Sequence, residues 1–331
     1  MKKICGMNGF GRFGLHFLRF YLKNSKKNKF ILKYINDTNL SFNKIKEIIK
    51  KDKYVKLNKF DLKFTKNSII FFSSSKNRQE IIFTNEKLNN ISWCSLIHYF
   101  LECSGEKSDK TNFLIKKYKN ISNLIFSATN HEADKTLIYG FNHEDYKKKY
   151  KTISYGSCTV NAFIPIANFI NQNFTIKDCD VNVIHNLPEY KIFQDNYKLE
   201  RRFCTLSSSG PRLLKFLNKN NFNVNYTLVP YTGPSIMDIR FRLGKKPRNL
   251  NSVVTKIKEN FIKIYDFDKK DNNSNKYKFI ESNLKLVISN SSLINNNIYL
   301  SGYFDNENSV VRFNDIINHI VLQNIKNVNQ M

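Results

Sequence analysis

Lys3-Ile4-Cys5-Gly6-Met7-Asn8-Gly9-Phe10-Gly11-Arg12-Phe13-Gly14 decides the fold: a short apolar run leads straight into a G-x-G-x-x-G pattern. Leu15, Phe17, Leu18, Tyr21 and Leu22 then recur at helical spacing, and Phe30 to Ile35 form a second apolar run, so the stretch predicts a strand-helix-strand unit. Glycines in that setting allow a tight turn and close backbone approach. A pyrophosphate can then sit on the free N–H groups and positive dipole of the helix start. Asp37 follows Gly14 by 23 residues, at the end of the second strand. A carboxylate there accepts hydrogen bonds from an adenosine ribose and repels the extra phosphate of NADP, so NAD is the expected cofactor.

Working outward, the basic stretch Lys44 to Lys66 predicts a short helix and loops. Ile69–Phe72 and Glu80–Phe83 read as an antiparallel pair around a polar Ser73–Gln79 turn. Leu96–Glu102 and Asn123–Ser127 are near-continuous apolar runs, as expected of strands buried on both faces of a mostly parallel sheet. After Cys158 the pattern changes. Asn161–Ile170 is an apolar helix, while Val181–His185 and Ser235–Arg242 alternate, and Leu284–Ile288 and Ile298–Tyr303 add strands. Val310, Val311, Phe313, Ile316, Ile317, Ile320 and Val321 mark one face of a terminal helix that needs a partner surface. The expected fold class is α/β: a Rossmann-type doubly wound NAD domain over 1–157, with helix 308–326 packing back on it. An α+β catalytic domain with a mainly antiparallel sheet covers 158–307.

The chain has 331 residues, a length that suggests two domains, and carries a formal charge of +27. Lysines spread along the whole chain with an excess of Asn, Ile, Tyr and Phe, so the charge reads as a solvated surface that attracts phosphorylated ligands, with nucleic acid as the less favoured partner. No stretch is long and apolar enough for a membrane span, and Asn8, Arg12, His16 and Arg19 interrupt any secretory pattern; a soluble cytoplasmic protein is expected. Its six cysteines show no C-x-x-C pair, so free thiols are expected and no metal site is suggested.

Ser157-Cys158-Thr159-Val160-Asn161 puts one of those cysteines where a loop becomes an apolar helix. A helix start favours thiolate, and a nearby histidine adds an ion-pair partner and acid/base. His185 ends the next strand, 27 residues later.

The ordered set Asn8-Gly9-Phe10-Gly11-Arg12-Phe13-Gly14, Ile35-Asn36-Asp37, Glu102-Cys103-Ser104-Gly105, Tyr139-Gly140-Phe141-Asn142, Ser157-Cys158-Thr159-Val160-Asn161, His185 and Asp305-Asn306-Glu307 resembles the glyceraldehyde-3-phosphate dehydrogenases from end to end. It is similar also to the related erythrose-4-phosphate dehydrogenases. The resemblance implies an NAD-dependent aldehyde dehydrogenase in which Cys158 forms a hemithioacetal and then a thioester, with His185 as general base. It implies contacts to the cofactor from Gly9, Gly11, Arg12, Phe13, Asp37, Ser104, Gly105 and Ser127, and from Asn306 to the nicotinamide carboxamide. Ser157, Thr159, the Ser209-Gly210 turn and Arg212 are implied as the substrate and phosphate site. An aldehyde, inorganic phosphate and a homotetramer are the implied partners.

Three positions depart from the family. Pro188 and Tyr190 stand where a threonine and an aspartate are expected, and Leu228 stands where an arginine holds the phosphate of the aldehyde; Lys191 and Arg212 are the possible substitutes. The loop between Arg201-Arg202 and Ser209-Gly210 is shorter than the family's, which bears on the tetramer. Two alternatives therefore stand beside the phosphorylating reading: the same chemistry on a different aldehyde, unphosphorylated or erythrose-4-phosphate-like, and a degenerate member that binds nucleotide or RNA.

Overall fold

A computed structural model describes residues 2–52, 55–72, 78–106, 108–187, 198–231, 233–272 and 280–326. The chain divides into two compact units. The first holds residues up to Leu137, Asn142–Gly156 and those from Phe313 on; the second holds Ile138–Phe141 and Ser157–Arg312.

The first unit is built on β1 (Lys3–Asn8), β2 (Phe30–Asn36), β3 (Leu62–Phe64), β4 (Ser68–Phe72), β5 (Arg78–Thr84), β6 (Tyr99–Glu102), β7 (Asn123–Phe126), β8 (Lys135–Thr136) and β9 (Thr152–Ser154). They form one sheet in the order β3-β4-β5-β2-β1-β6-β7-β9-β8. Pairing is parallel from β5 across to β8, while β3, β4 and β5 pair antiparallel. Between β1 and β2 runs α1 (Arg12–Asn24), which buries Leu15, Phe17, Leu18, Tyr21 and Leu22, the periodic set of the sequence. β1 has β2 on one side and β6 on the other, so the carboxyl ends of β1 and β6 form the topological switch point at which open α/β sheets bind ligands.

Two local expectations change. The basic stretch contains α2 (Phe42–Lys51) but also the edge strand β3. The run expected as a strand from Leu96 begins only at Tyr99, because Ser92–Leu96 coils into a 3₁₀ turn. Asn120 Nδ2 holds that turn by donating to Cys94 O at 2.9 Å and Ile97 O at 2.7 Å, and Leu96 is left 56% exposed. Residues 73–77 of the expected Ser73–Gln79 turn lie outside the described residues.

The second unit carries β10 (Ile176–Asn186), β11 (Glu200–Arg201), β12 (Phe222–Val229), β13 (Ser235–Leu243), β14 (Tyr265–Asp268), β15 (Leu284–Val287), β16 (Ser292–Ile294) and β17 (Asn297–Phe304). Their order is β11-β12-β10-β13-β17-β15-β14, with β16 beside β17. The sheet is mainly antiparallel; β10–β12 and β14–β15 are its parallel pairs. Among the described residues this unit carries the helices α3 (Cys158–Phe174), α4 (Thr205–Leu213) and α5 (Leu250–Phe261). Val160, Phe163, Ile164 and Ala167 of α3 share a core with Val181 and Val183 of β10 and Met237, Ile239 and Phe241 of β13. Ile138–Phe141 joins this unit because Gly140, at φ +83°, lies against the Ile264 side chain with no room for a Cβ.

Pro165 sits inside α3 and should break it, since proline cannot donate to the carbonyl four residues back. Two side chains repair the break. Asn283 Nδ2 donates to the orphaned Asn161 O at 2.6 Å, and the Tyr265 hydroxyl bridges the next rung, donating to Ala162 O and accepting from Ile166 N, each at 2.9 Å. The helix that begins at Cys158 is thereby continuous. The last helix, α6 (Asn306–Lys326), buries Phe313, Ile316, Ile317, Ile320 and Val321 in the first unit. Among the described residues no helix is long and apolar enough to cross a membrane.

Candidate active site

Along β10 the residues Cys179, Val181 and Val183 alternate inward onto the core shared with α3, and His185 is the next residue of that same face. The imidazole therefore emerges where the core ends. α3 starts there too: Gly156, at φ +85°, turns the chain, Ser157 caps the helix by accepting from Val160 N at 3.4 Å, and Cys158 is its first residue. Cys158 Sγ and His185 Nε2 stand 3.6 Å apart.

The other ring nitrogen fixes the tautomer. His185 Nδ1 lies 2.8 Å from Asn186 O, which can only accept, so Nδ1 carries a proton and Nε2 is the nitrogen turned to the sulfur, where it can exchange one. Asn186 is itself anchored: its N–H donates to Ser235 Oγ at 3.1 Å and its side-chain amide to Gly233 O. The imidazole is packed between Tyr226 of β12, at 5.4 Å between ring centroids, and the edge of Phe304, at 5.8 Å.

The expected low thiol pKa is not met. Burial pushes the Cys158 thiol up to about 12, with Cys204 and Asp305 adding in the same direction. The N–H groups of Thr159 and Cys158 at the helix start pull it down, but less. Desolvation outweighs the helix start even though Cys158 is only partly buried, unlike the other five cysteines. Burial thus favours the protonated form of the Cys158 thiol in the resting site.

A second helix start meets the first. Ser157 Oγ lies 3.0 Å from Thr205 Oγ1, the first residue of α4, and 3.1 Å from Thr159 Oγ1. Cys204, which precedes α4, donates to Thr159 Oγ1 at 3.7 Å, and no side chain caps the α4 N-terminus. Two helix N-termini with hydroxyls between them attract an anion.

The expected Ser209-Gly210 turn is a correction. Both residues lie buried inside α4, where Gly210 leaves space filled by the Phe222 ring, and Arg212 is exposed on its last turn. Gly210 and Pro211 read locally as breakers, but packing of Leu206 and Gly210 carries the helix through them. The hydroxyl brought to Ser157 is that of Thr205, about a helical turn earlier. Sequence reasoning missed Thr205, Cys204, Tyr226 and Phe304; nothing in their local spacing points to the site. Leu228 pairs in register with His185 on the neighbouring strand and is buried with Leu187 and Tyr226, leaving an apolar wall there. Pro188, Tyr190 and Lys191 lie outside the described residues, as does the side chain of Asn306, the first residue of α6.

In the first unit the nucleotide candidates gather at the ends of β1, β2 and β6. Gly9, at φ +98°, presses against the Cys103–Ser104 backbone with no room for a Cβ, and Gly14 meets Gly9 O in the same way. Gly11 is different: a Cβ there would meet nothing within 4 Å, and its φ of −70° suits any residue. No side chain caps α1 behind it, so its first-turn N–H groups remain for a ligand. Asp37 Oδ2 accepts from Phe10 N at 2.7 Å, while Oδ1 accepts from Asn39 N at 2.9 Å and Leu40 N at 3.1 Å. Asp37 thus ties the glycine loop to the end of β2. A carboxylate has about four lone-pair sites, so roughly one stays open for a ribose hydroxyl.

Glu102, pushed up by burial, accepts from Asn8 Nδ2 at 2.9 Å and from Ser104 N at 2.7 Å, and its carboxylate binds the Ser104 hydroxyl. Gly105 follows at φ +88°. Ser127 N donates to Glu102 O at 2.9 Å, and its side chain bonds Cys103. Phe13 turns its ring into the core, 5.3 Å from Phe313, so only its backbone is offered to a ligand. Arg12 opens α1, half-buried.

The chain is 24% identical over 260 residues to glyceraldehyde-3-phosphate dehydrogenase 1 of Bacillus cereus, covering 74% of the chain and 75% of that protein. It is 28% identical over 181 residues to the glyceraldehyde-3-phosphate dehydrogenase of Phytophthora infestans, which is 54% of the chain and about half of that protein, 52%. The chain is a divergent relative of the glyceraldehyde-3-phosphate dehydrogenases. No family model matches it.

Proposed function

We propose that the chain is a phosphorylating, NAD-dependent aldehyde dehydrogenase that works through a thioester on Cys158. The observation that carries the reading is the 3.6 Å contact between Cys158 Sγ and His185 Nε2, with Nδ1 pinned by Asn186 O. His185 takes the thiol proton as the sulfur adds to the aldehyde carbon, passes it to the carbonyl oxygen to give a hemithioacetal, and, neutral again, accepts that hydroxyl proton as the carbon gives up hydride. NAD, when bound, supplies a hydride acceptor. Gly11, with open space beside it, and the uncapped start of α1 fit its pyrophosphate, and Asp37 its ribose. Cys158 is left as a thioester, and Ser157, Thr205 and the α4 N-terminus hold the inorganic phosphate that releases the acyl group. Glyceraldehyde 3-phosphate is the first substrate to test.

A second reading keeps this chemistry but replaces the substrate with an aldehyde that carries no phosphate at that position, and the buried Leu228 favours it. A guanidinium contact to phosphate is worth about 1.5–3 kcal/mol, so its loss alone weakens a phosphorylated substrate by roughly tenfold or more. The test is to follow NADH formation with NAD, phosphate and matched phosphorylated and unphosphorylated aldehydes. Cys158→Ser should abolish turnover and His185→Gln lower kcat by roughly 10²–10⁴. Thr205→Ala should raise the phosphate KM. No NADH with any aldehyde, from folded protein whose Cys158 resists iodoacetamide at every pH, would overturn the proposal.

A further inference from the structure

A second group of reactive side chains lies in the first unit. His143 and Glu144 belong to a 3₁₀ turn, His143–Asp145, and His319 to α6. Asn142 steadies the turn by donating through Nδ2 to Thr136 O at 2.9 Å. One donor atom from each of His143, Glu144 and His319 lies within 4.8 Å of the other two. His143 Nε2 is 3.4 Å from Glu144 Oε1, and His319 Nε2 is 3.9 Å from Glu144 Oε2. Tetrahedral zinc, with ligand bonds of about 2.0–2.2 Å, needs donors about 3.3–3.5 Å apart. The first pair already fits, the second, through the other carboxylate oxygen, closes by roughly half an ångström, and the three donors as a set, within 4.8 Å of one another, draw in by at most about 1.5 Å.

Burial and hydrogen bonding prepare the donors. The histidine side chains are 19% and 12% exposed and Glu144 is 72% exposed, so two fixed imidazoles face one carboxylate free to swing in. The His319 ring hydrogen-bonds the backbone of His143, while its Nε2 is buried with no hydrogen-bond partner among the described residues. That is the outer-shell pattern of a metal-bound histidine: one nitrogen fixed by a backbone group, the other left as a lone pair.

We propose that His143, Glu144 and His319 form a binding site for a divalent transition-metal ion of the zinc class, with water in the fourth position. The ion would cross-link the turn to the terminal helix, and because the ligands meet only in the folded chain it would stabilise that helix. Metal binding by these three side chains does not depend on the chemistry at Cys158 or on the identity of its aldehyde.

The test uses the full chain alkylated at Cys158 with iodoacetamide, so that the Cys158–His185 pair cannot take the probe. Cobalt(II) should bind one per chain with tetrahedral visible bands and no thiolate charge-transfer band, and zinc should displace it. Glu144→Gln, at an exposed position that leaves the fold intact, should weaken binding by roughly tenfold or more, and His319→Gln should remove saturable binding. Zinc should raise Tm in the parent chain and not in His319→Gln. No saturable cobalt binding, unchanged affinity in both variants, or a thiolate band in the alkylated chain would each overturn the site.

Discussion

The resting state of Cys158 can be read directly from its alkylation by iodoacetamide as a function of pH. Burial holds this thiol up to about 12, well above an ordinary cysteine. A raised thiol pKa means that the protonated form persists through neutral pH and that thiolate grows tenfold with each pH unit until about 12. At pH 8 the thiolate fraction is about 10⁻⁴, roughly a thousandfold or more below that of a free thiol of pKa about 8.5. The rarer thiolate is also more basic and more nucleophilic; with a Brønsted slope of about 0.4–0.5, that recovers roughly thirtyfold, leaving Cys158 some 30–100 times slower than a free thiol. Peptide mapping by mass spectrometry isolates the Cys158 rate, since the other five cysteines are buried. The expected profile rises one log unit per pH unit from pH 7 to 10. A plateau at or below pH 8 would show a resting thiolate–imidazolium pair and refute the neutral thiol.

Gly11→Ala should cost less than about 1 kcal/mol of stability, because nothing in the protein occupies that space, yet weaken NADH binding at least about tenfold by fluorescence titration. Gly9→Ala should instead destabilise the first unit outright, since φ +98° and the Ser104 backbone exclude a side chain; urea unfolding distinguishes the two. Tyr265→Phe leaves Ala162 O and Ile166 N unbridged beside Pro165 and should lower unfolding free energy by about 2–4 kcal/mol, with unchanged stability counting against the repair of α3. Asp37→Ala should loosen the glycine loop and weaken NAD binding, and equal affinity in the variant would remove Asp37 from the cofactor site.

Much of the nucleotide half was legible in the chain because it is local. An apolar run, a glycine turn and helical periodicity from Leu15 to Leu22 sit within one supersecondary unit, and each is specified by neighbouring residues. The cap at Ser157 and the helix start at Cys158 are local in the same sense. The switch from Leu96 to a 3₁₀ turn was not legible, because Asn120 imposes it from a distant part of the chain. Nor was α4, whose Gly210 and Pro211 signal a turn until Phe222 packs against Gly210.

Sequence by itself determined the two architectures, the glycine loop with its acidic partner, and the identity of the cysteine and histidine to watch. Tertiary structure alone decided that Thr205, not Ser209, joins Ser157, that Tyr226 and Phe304 enclose His185, and that His143 meets His319. It also reversed the expected acidity of Cys158. The physical reason is common to all four: backbone periodicity and caps depend on residues a few places apart, whereas desolvation and side-chain encounter depend on what strands and helices from elsewhere in the chain lay against a given atom.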